Sequence, residues 1–105
     1  MLITNPGSVA FWFDPQDNPF AFKSDNNIIW GQFTMNNERC LVISEGQTLS
    51  VIMNQNTDRQ LTIFHKNINP DSSIRHMIAI TWEPENFCLY FDGVLLEEIH
   101  PKDFK

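Results

Sequence analysis

The stretch that decides the fold is residues 73–98, which read SIRHMIAITWEPENFCLYFDGVLLEE. Near its end, Asp92-Gly93 lies between two apolar runs. A two-residue type I′ turn needs positive φ at both central residues, which Asp tolerates and Gly adopts freely. This dipeptide therefore predicts a β-hairpin.

Counting outward from the turn gives the register of the hairpin, because side chains alternate between the two faces of a strand. The predicted cross-strand pairs are Phe91 with Val94, Tyr90 with Leu95, Leu89 with Leu96, Cys88 with Glu97 and Phe87 with Glu98. Upstream, residues 83–86 (EPEN) supply turn chemistry, so residues 75–82 should run antiparallel to residues 86–92. Both faces of residues 75–82 are largely apolar, which predicts a central strand covered on both sides.

These residues also carry a resemblance to a known family. Residues 76–82 (HMIAITW) followed by 89–95 (LYFDGVL) resemble the WHHVAVTWDG…LYVDGV signature of the laminin-G-like and pentraxin-like branches of the concanavalin A-like lectin/glucanase superfamily. Residues 8–15 (SVAFWFDP) are similar to the early FTISAWVRP strand of that family, and residues 27–33 (NIIWGQF) to its ILS strand. The resemblance covers most of the chain and implies a jelly roll, a sandwich of two antiparallel sheets.

The chain departs from the family pattern at several places. Arg75 stands where the family has Trp, and Met77 stands where it has a second His. Little sequence precedes the strand at residues 8–14 or follows the hairpin. The resemblance therefore implies either a reduced sandwich, missing terminal strands, or one that another copy completes.

The rest of the chain shows short apolar segments separated by turns rich in Asn, Asp, Gly and Pro. The further predicted strands are residues 8–14, 20–23, 28–34, 38–44, 48–53 and 59–65. No apolar pattern with a period of 3.6 residues persists for about ten residues, so no helix is predicted. Regularly spaced short strands are typical of an all-β antiparallel two-sheet sandwich, and residues 1–105 form a single domain with one core.

The amino-acid composition limits the kinds of partner that the protein can bind. The net charge is −6 with only seven Lys and Arg residues, which is no basis for binding a phosphate backbone. No apolar run approaches the ~20 residues that cross a bilayer, and no export signal is visible. We expect no nucleic-acid partner and no membrane-embedded segment. The compartment stays unassigned, although the resemblance allows an extracellular or virion-associated location.

Catalytic patterns are weak. Glycosidases of the superfamily carry three carboxylates at alternate positions of one strand, and this chain has no such triple. Glu83 and Glu85 flank a proline in a turn, and the adjacent pair at 97 and 98 points to opposite faces. His65, His76 and His100 lie far apart and lack metal-ligand spacing, and a structural hydrogen bond is the expected role of His76. The sequence predicts a protein that is not an enzyme.

Two loops and their flanking aromatics are the candidate binding region. The proposed ligand-binding residues are Trp12, Asp14, Asp17, Phe20, Phe22, Asp25, Asn26 and Trp30. An exposed ring can stack on the C–H face of a sugar while amides and carboxylates bind its hydroxyls, and the alternative for these rings is packing in the core. If calcium binds, as in many relatives of this type, Asp14, Asp17 and Asp25 are its candidate ligands, and the alternative is turn chemistry alone. Turn chemistry alone is also expected of Asp92.

The cysteines offer two alternatives. Cys40 and Cys88 both lie in predicted strands, so buried free thiols are expected, and a disulfide between them is the other possibility.

The function predicted from these features is a non-enzymatic, lectin-like binding module for a glycan or a protein surface. The alternative is a structural or assembly module of a virion or cell surface with no small ligand, and a glycoside hydrolase is a distant third. The strand at residues 8–13 is apolar and uncharged, whereas Glu97 and Glu98 blunt the terminal strand. We therefore expect a homodimer or higher homo-oligomer.

Overall fold

A computed structural model of the protein describes residues 6–14, 27–35, 37–68 and 74–100. Its strands are β1 (Gly7–Phe13), β2 (Asn27–Met35), β3 (Glu38–Glu45), β4 (Thr48–Met53), β5 (Leu61–Asn67), β6 (His76–Trp82), β7 (Phe87–Phe91) and β8 (Val94–Ile99). The strand predicted at residues 20–23 lies outside the described residues. Within the described part of the chain there is no helix that could cross a lipid bilayer.

The strands form two antiparallel sheets of four strands each. Sheet A has the order β1-β6-β7-β8, and sheet B has the order β2-β3-β4-β5. The predicted all-β sandwich of two antiparallel sheets is therefore confirmed, and one chain supplies both layers. Strand β6 is interior to its sheet, as predicted, because it pairs with β1 on one side and β7 on the other.

One hydrophobic core lies between the two sheets. Burial alternates along the strands, most clearly in β4 and β6, because successive side chains point to opposite faces. The largest fully buried side chains come from both layers: Phe64, Phe87, Met35, Leu49, Ile78, Ile80, Leu89, Val42, Val51 and Cys40. Phe33 of sheet B stacks on Trp82 of sheet A with ring centroids 5.2 Å apart, which ties the layers together.

The prediction that β6 is covered on both sides is wrong for one of its faces. Ile78, Ile80 and Trp82 point into the core and are buried, whereas Met77 and Ala79 on the opposite face are only half-buried. In a two-layer antiparallel sandwich each sheet has one face in the core and one toward solvent. Although β6 is apolar on both faces, only one of them packs in the core. The other face forms part of an apolar outer surface of sheet A.

The hairpin register is correct near the turn and wrong beyond it. Phe91 pairs with Val94 and Tyr90 with Leu95, as predicted, but the register then shifts by one residue. The observed pairs beyond the shift are Leu89 with Glu97, Cys88 with Glu98 and Phe87 with Ile99. The β-bulge lets Ile99, and not Glu98, lie opposite the fully buried Phe87. The same shift puts Glu97 opposite the buried Leu89, and its carboxylate lies 3.9 Å from Lys66 Nζ of β5.

Both cysteines are free thiols, so the disulfide alternative is excluded. Cys40 pairs with Met53 on the core face of sheet B, and Cys88 pairs with Thr81 on the outer face of sheet A. Burial, with a smaller contribution from the nearby Glu38 carboxylate, raises the pKa of the Cys40 thiol to about 12. Both thiols are therefore protonated at neutral pH.

Candidate functional site

The outer face of sheet A carries the most exposed aromatic ring among the described residues. Trp12 pairs with Met77 across β1 and β6, and its side chain is 60% exposed. The next row of this face contains Ala10 and Ala79, which are followed across the sheet by Tyr90 and Leu95. We call these two rows the Trp12 face: Ala10, Trp12, Met77, Ala79, Tyr90 and Leu95. Its members are apolar apart from the phenol hydroxyl, and none carries a charge.

Contact with the opposite sheet determines which way Trp12 points. Phe11 packs against the core, and its ring lies directly on Gly31 of β2, where a Cβ would overlap the ring. Only a glycine leaves room for this aromatic side chain between the layers. Because neighbouring residues of a strand point to opposite faces, an inward Phe11 places Trp12 outside. Gly31 thus accounts for the exposure of a large aromatic residue.

A cation lies on the exposed ring. The guanidinium carbon of Arg75 is 4.9 Å from the centroid of the Trp12 ring, which is cation–π geometry. Arg75 is itself exposed, so its donors can also reach a bound molecule. The Trp12 face therefore offers a flat ring with hydrogen-bond donors at its margin.

A polar row bounds the Trp12 face on one side. It contains Ser8, Thr81, Cys88 and Glu98. The Cys88 thiol donates to a carboxylate oxygen of Glu98 at 3.6 Å, and burial raises the pKa of this thiol. The adjacent Cys88 also raises the pKa of Tyr90, so both groups are neutral near pH 7. The phenol hydroxyl of Tyr90 is hydrogen-bonded to the side chains of Cys88 and Thr81, at the border of the polar row.

A histidine–carboxylate pair fixes the hairpin turn beside the Trp12 face. His76 Nδ1 lies 2.6 Å from Asp92 Oδ2, and the other carboxylate oxygen accepts the backbone N–H of Met77 at 2.9 Å. The imidazole is 2% exposed and stacks on Phe91. The prediction that Asp92 serves turn chemistry alone is wrong, because its carboxylate also binds β6. The pair is structural and agrees with the role expected of His76.

The candidate residues from the sequence have different placements. Trp12 is exposed on sheet A, and Asp14 follows β1 directly and is half-buried. Trp30 packs against the core, and its indole N–H donates to Ser44 Oγ at 3.0 Å. The other five lie outside the described residues: Asp17, Phe20, Phe22, Asp25 and Asn26. We therefore base the binding surface on Trp12.

The side chains of the described residues form neither a metal site nor a complete catalytic group. Among the described residues, no group of three or more His, Cys, Asp or Glu side chains could hold a metal ion. The predicted calcium ligand Asp14 is in this part of the chain, and Asp17 and Asp25 are outside it. The fold brings Ser50 Oγ within 3.0 Å of His65 Nδ1, a contact that the sequence did not reveal. Nucleophilic catalysis also needs an orienting group and an oxyanion site, and no described contact supplies the first of these to His65.

The outer face of sheet B carries a concavity that sequence reasoning missed. Its volume is about 280 Å³, and its lining residues are Ile29, Arg39, Leu41, Asn54, Gln55, Asn56 and Thr57. We call it the Arg39 pocket. Residues 54–58 (NQNTD) lie between the two predicted strands 48–53 and 59–65 and have the composition of a turn, so the sequence alone gave no sign of the pocket.

The fold and these surfaces define a small all-β sandwich with an exposed aromatic and apolar face on one sheet and a polar pocket on the other. Comparisons with protein-family models, with curated proteins and with solved structures found no match to this chain.

Proposed function

We propose that the protein is a non-enzymatic binding module that recognises a glycan through the Trp12 face. The observation that carries this proposal is the 60% exposure of the Trp12 ring beside the Arg75 guanidinium. A pyranose presents a C–H face that stacks on an indole and a rim of hydroxyls that accept hydrogen bonds from a guanidinium. The two alanines of the Trp12 face leave space next to the ring for a sugar.

Two further features support the same proposal. Residues 76–82 and 89–95 resemble the superfamily signature described above, in which many members bind sugars. The part of sheet A next to Trp12 is also rigid, because β6 is interior to the sheet and Asp92 fixes the hairpin turn to β6. A rigid surface reduces the entropy that binding costs.

A glycan array tests the proposal when it is probed with the protein in the presence and absence of calcium. Wild-type protein should bind at least one glycan, and Trp12→Ala should weaken that binding at least about tenfold. Val94→Ala is the matched control, because Val94 is 63% exposed and pairs with Phe91 on the face of sheet A opposite the Trp12 face. A blank array in both conditions, or equal loss in the two variants, overturns the proposal. Dependence on calcium would in addition support ligands near Asp14.

An assembly module is the second candidate, and the extent of the Trp12 face favours it. The face spans all four strands of sheet A, and β1 is an edge strand whose seven residues carry no charge. Such an edge can pair with a strand of another chain, and an apolar sheet face can pack on a second sheet. In this function the same surface makes contacts only with other proteins or with a second copy of the chain.

Light scattering separates the two candidates. The assembly function predicts a mass of at least twice 12.3 kDa. Ala10→Glu, which adds a charge to the edge strand β1 on the Trp12 face, should return the protein to a monomer. A monomeric wild type at millimolar concentration contradicts self-assembly, and a monomer that binds the array supports the first candidate.

A further inference from the structure

The Arg39 pocket combines an apolar floor with a polar rim. Leu41 points to the outer face of sheet B, yet it is only 7% exposed. Ile29 lies on the same face and is 65% exposed. Together these two side chains form an apolar surface, and residues 54–57 supply three amides and a hydroxyl above it. A volume of about 280 Å³ is slightly below the range for small-molecule sites, which begins at about 300 Å³.

The loop that forms the rim is fixed by its own hydrogen bonds. The Asn54 backbone N–H donates to the carbonyl of Arg39 at 2.8 Å, which joins the loop to β3. Thr57 Oγ1 donates to the Asn54 carbonyl at 2.7 Å, and the Asn56 N–H donates to Gln60 Oε1 at 2.8 Å. Asn54 and Asn56 both have positive φ, which Asn tolerates. The loop that forms the rim therefore has its conformation fixed in the absence of a ligand.

The cation in the pocket is oriented and available. Arg39 Nε donates to Gln32 Oε1 at 3.2 Å, which orients the guanidinium plane. Its acidic neighbour Glu38 is engaged elsewhere, because it accepts from Asn54 Nδ2 at 2.7 Å and pairs with Arg59. Among the described residues, the two terminal nitrogens of Arg39 have no partner. They present the planar fork that matches a carboxylate.

We propose that the Arg39 pocket binds the carboxylate of a small, hydroxyl-rich organic acid of monosaccharide size. The guanidinium of Arg39 binds the carboxylate, the side-chain amides of Gln55 and Asn56 bind hydroxyls, and Ile29 with Leu41 contacts the C–H surface. This site lies on sheet B and does not depend on the Trp12 face.

Titration of isotopically labelled protein with D-glucuronate, D-glucose and acetate, followed by amide chemical shifts, tests this site. Glucuronate should give saturable shifts at residues 39–41 and 54–57, and its affinity should exceed that of glucose and of acetate at least about tenfold. No saturable shift with glucuronate overturns the proposal. Equal affinity for glucose removes the role of the carboxylate, and equal affinity for acetate removes the role of the hydroxyls; either result contradicts the proposed ligand class.

Matched variants locate the site. Arg39→Gln should weaken glucuronate binding at least about tenfold, because it removes the charge-assisted hydrogen bonds, and Arg39→Lys should restore only part of the loss. Lys66→Gln removes a cation of β5 that lies outside the pocket and outside the Trp12 face, and it should leave glucuronate affinity unchanged. Unchanged binding in Arg39→Gln, or equal loss in Lys66→Gln, overturns the assignment. Because Arg39 is exposed, overlay of the amide spectra away from the pocket confirms that the variant is folded.

Discussion

His76 and Asp92 join the start of β6 to the turn between β7 and β8, with Nδ1 and Oδ2 2.6 Å apart. A carboxylate only accepts hydrogen bonds, so the Nδ1 of His76 carries the proton in this contact. The second carboxylate oxygen accepts the Met77 N–H at 2.9 Å, and the Asp92 N–H donates to the Met77 carbonyl at 2.9 Å. Asp92 therefore forms part of the turn between β7 and β8 and also holds this turn against the start of β6.

Asp92→Gly separates the two roles of this residue. Glycine adopts the φ of 52° observed at Asp92 more readily, but it removes both carboxylate contacts. We expect a net loss of about 2 kcal/mol in the free energy of unfolding, measured by chemical denaturation. Asn37→Gly is the control, because Asn37 has a φ of 63° in the turn before β3. It should be neutral or stabilising by up to about 1 kcal/mol, and wild-type stability of Asp92→Gly would contradict the structural role.

Gly31→Ala tests the contact that orients β1. The new methyl group would overlap the Phe11 ring, so we expect a loss of about 1–3 kcal/mol in the free energy of unfolding. The cost should be smaller in a Phe11→Ala background, where the ring is absent. Gly93→Ala has open space and a φ of +80°, so it should cost about 1 kcal/mol through backbone strain alone. An additive double-mutant cycle at positions 31 and 11 would contradict the packing described.

Trp30→Phe tests the assignment of this ring to the core. It keeps an aromatic side chain but removes the indole N–H that donates to Ser44, whose side chain is fully buried. A loss of about 1–2 kcal/mol in the free energy of unfolding is expected. Trp12→Phe should change stability by less than about 0.5 kcal/mol, because Trp12 is exposed. A larger loss of stability in Trp12→Phe than in Trp30→Phe would contradict the assignment of Trp30 to the core and of Trp12 to the surface.

The Cys40 thiol makes stability depend on alkaline pH. Its pKa is about 12 in the folded protein against an ordinary value of 9.0, and burial is the main cause. Below pH 9 the thiol is protonated in both states, and between pH 9 and 12 only the unfolded chain loses the proton. The free energy of unfolding should therefore fall as the pH rises through this window, by up to about 1.4 kcal/mol per pH unit from this group.

Denaturation of wild type and Cys40→Ala at several pH values from 8 to 11 measures this contribution. The variant creates a small cavity and lowers stability throughout, so the slope with pH is the quantity to compare. The slope should be shallower in Cys40→Ala. Identical slopes would show that the folded thiol ionises as readily as the unfolded one.

The sequence was sufficient to predict the fold class because its signals are local. Asp92-Gly93 predicted a turn with positive φ at both residues, and both values are positive in the structure, 52° and 80°. The shift after Tyr90 was not predictable by counting, because a bulge depends on which side chains the opposite sheet leaves room for. Phe87 is fully buried, and Ile99 rather than Glu98 lies opposite it.

The surface was harder to predict than the core. Both faces of β1 are apolar, so alternation alone did not show whether Phe11 or Trp12 would point outward. The answer came from Gly31, which is distant in sequence and contacts Phe11 across the sandwich. The Arg39 pocket likewise combines β2, β3 and the loop after β4. Each of its residues has the pattern of an ordinary turn or strand residue in the sequence, so only the folded structure shows that they line one pocket.

The central claim is that the Trp12 face is the contact surface of the protein. Amide chemical shifts of labelled protein, titrated with the glycan that gives the strongest array signal, test this claim most directly. The account predicts shifts at Trp12, Met77, Ala79 and Tyr90, and none at Ile29 or elsewhere on sheet B, for a neutral glycan. Shifts confined to sheet B, or an array that yields no glycan to titrate, would contradict it.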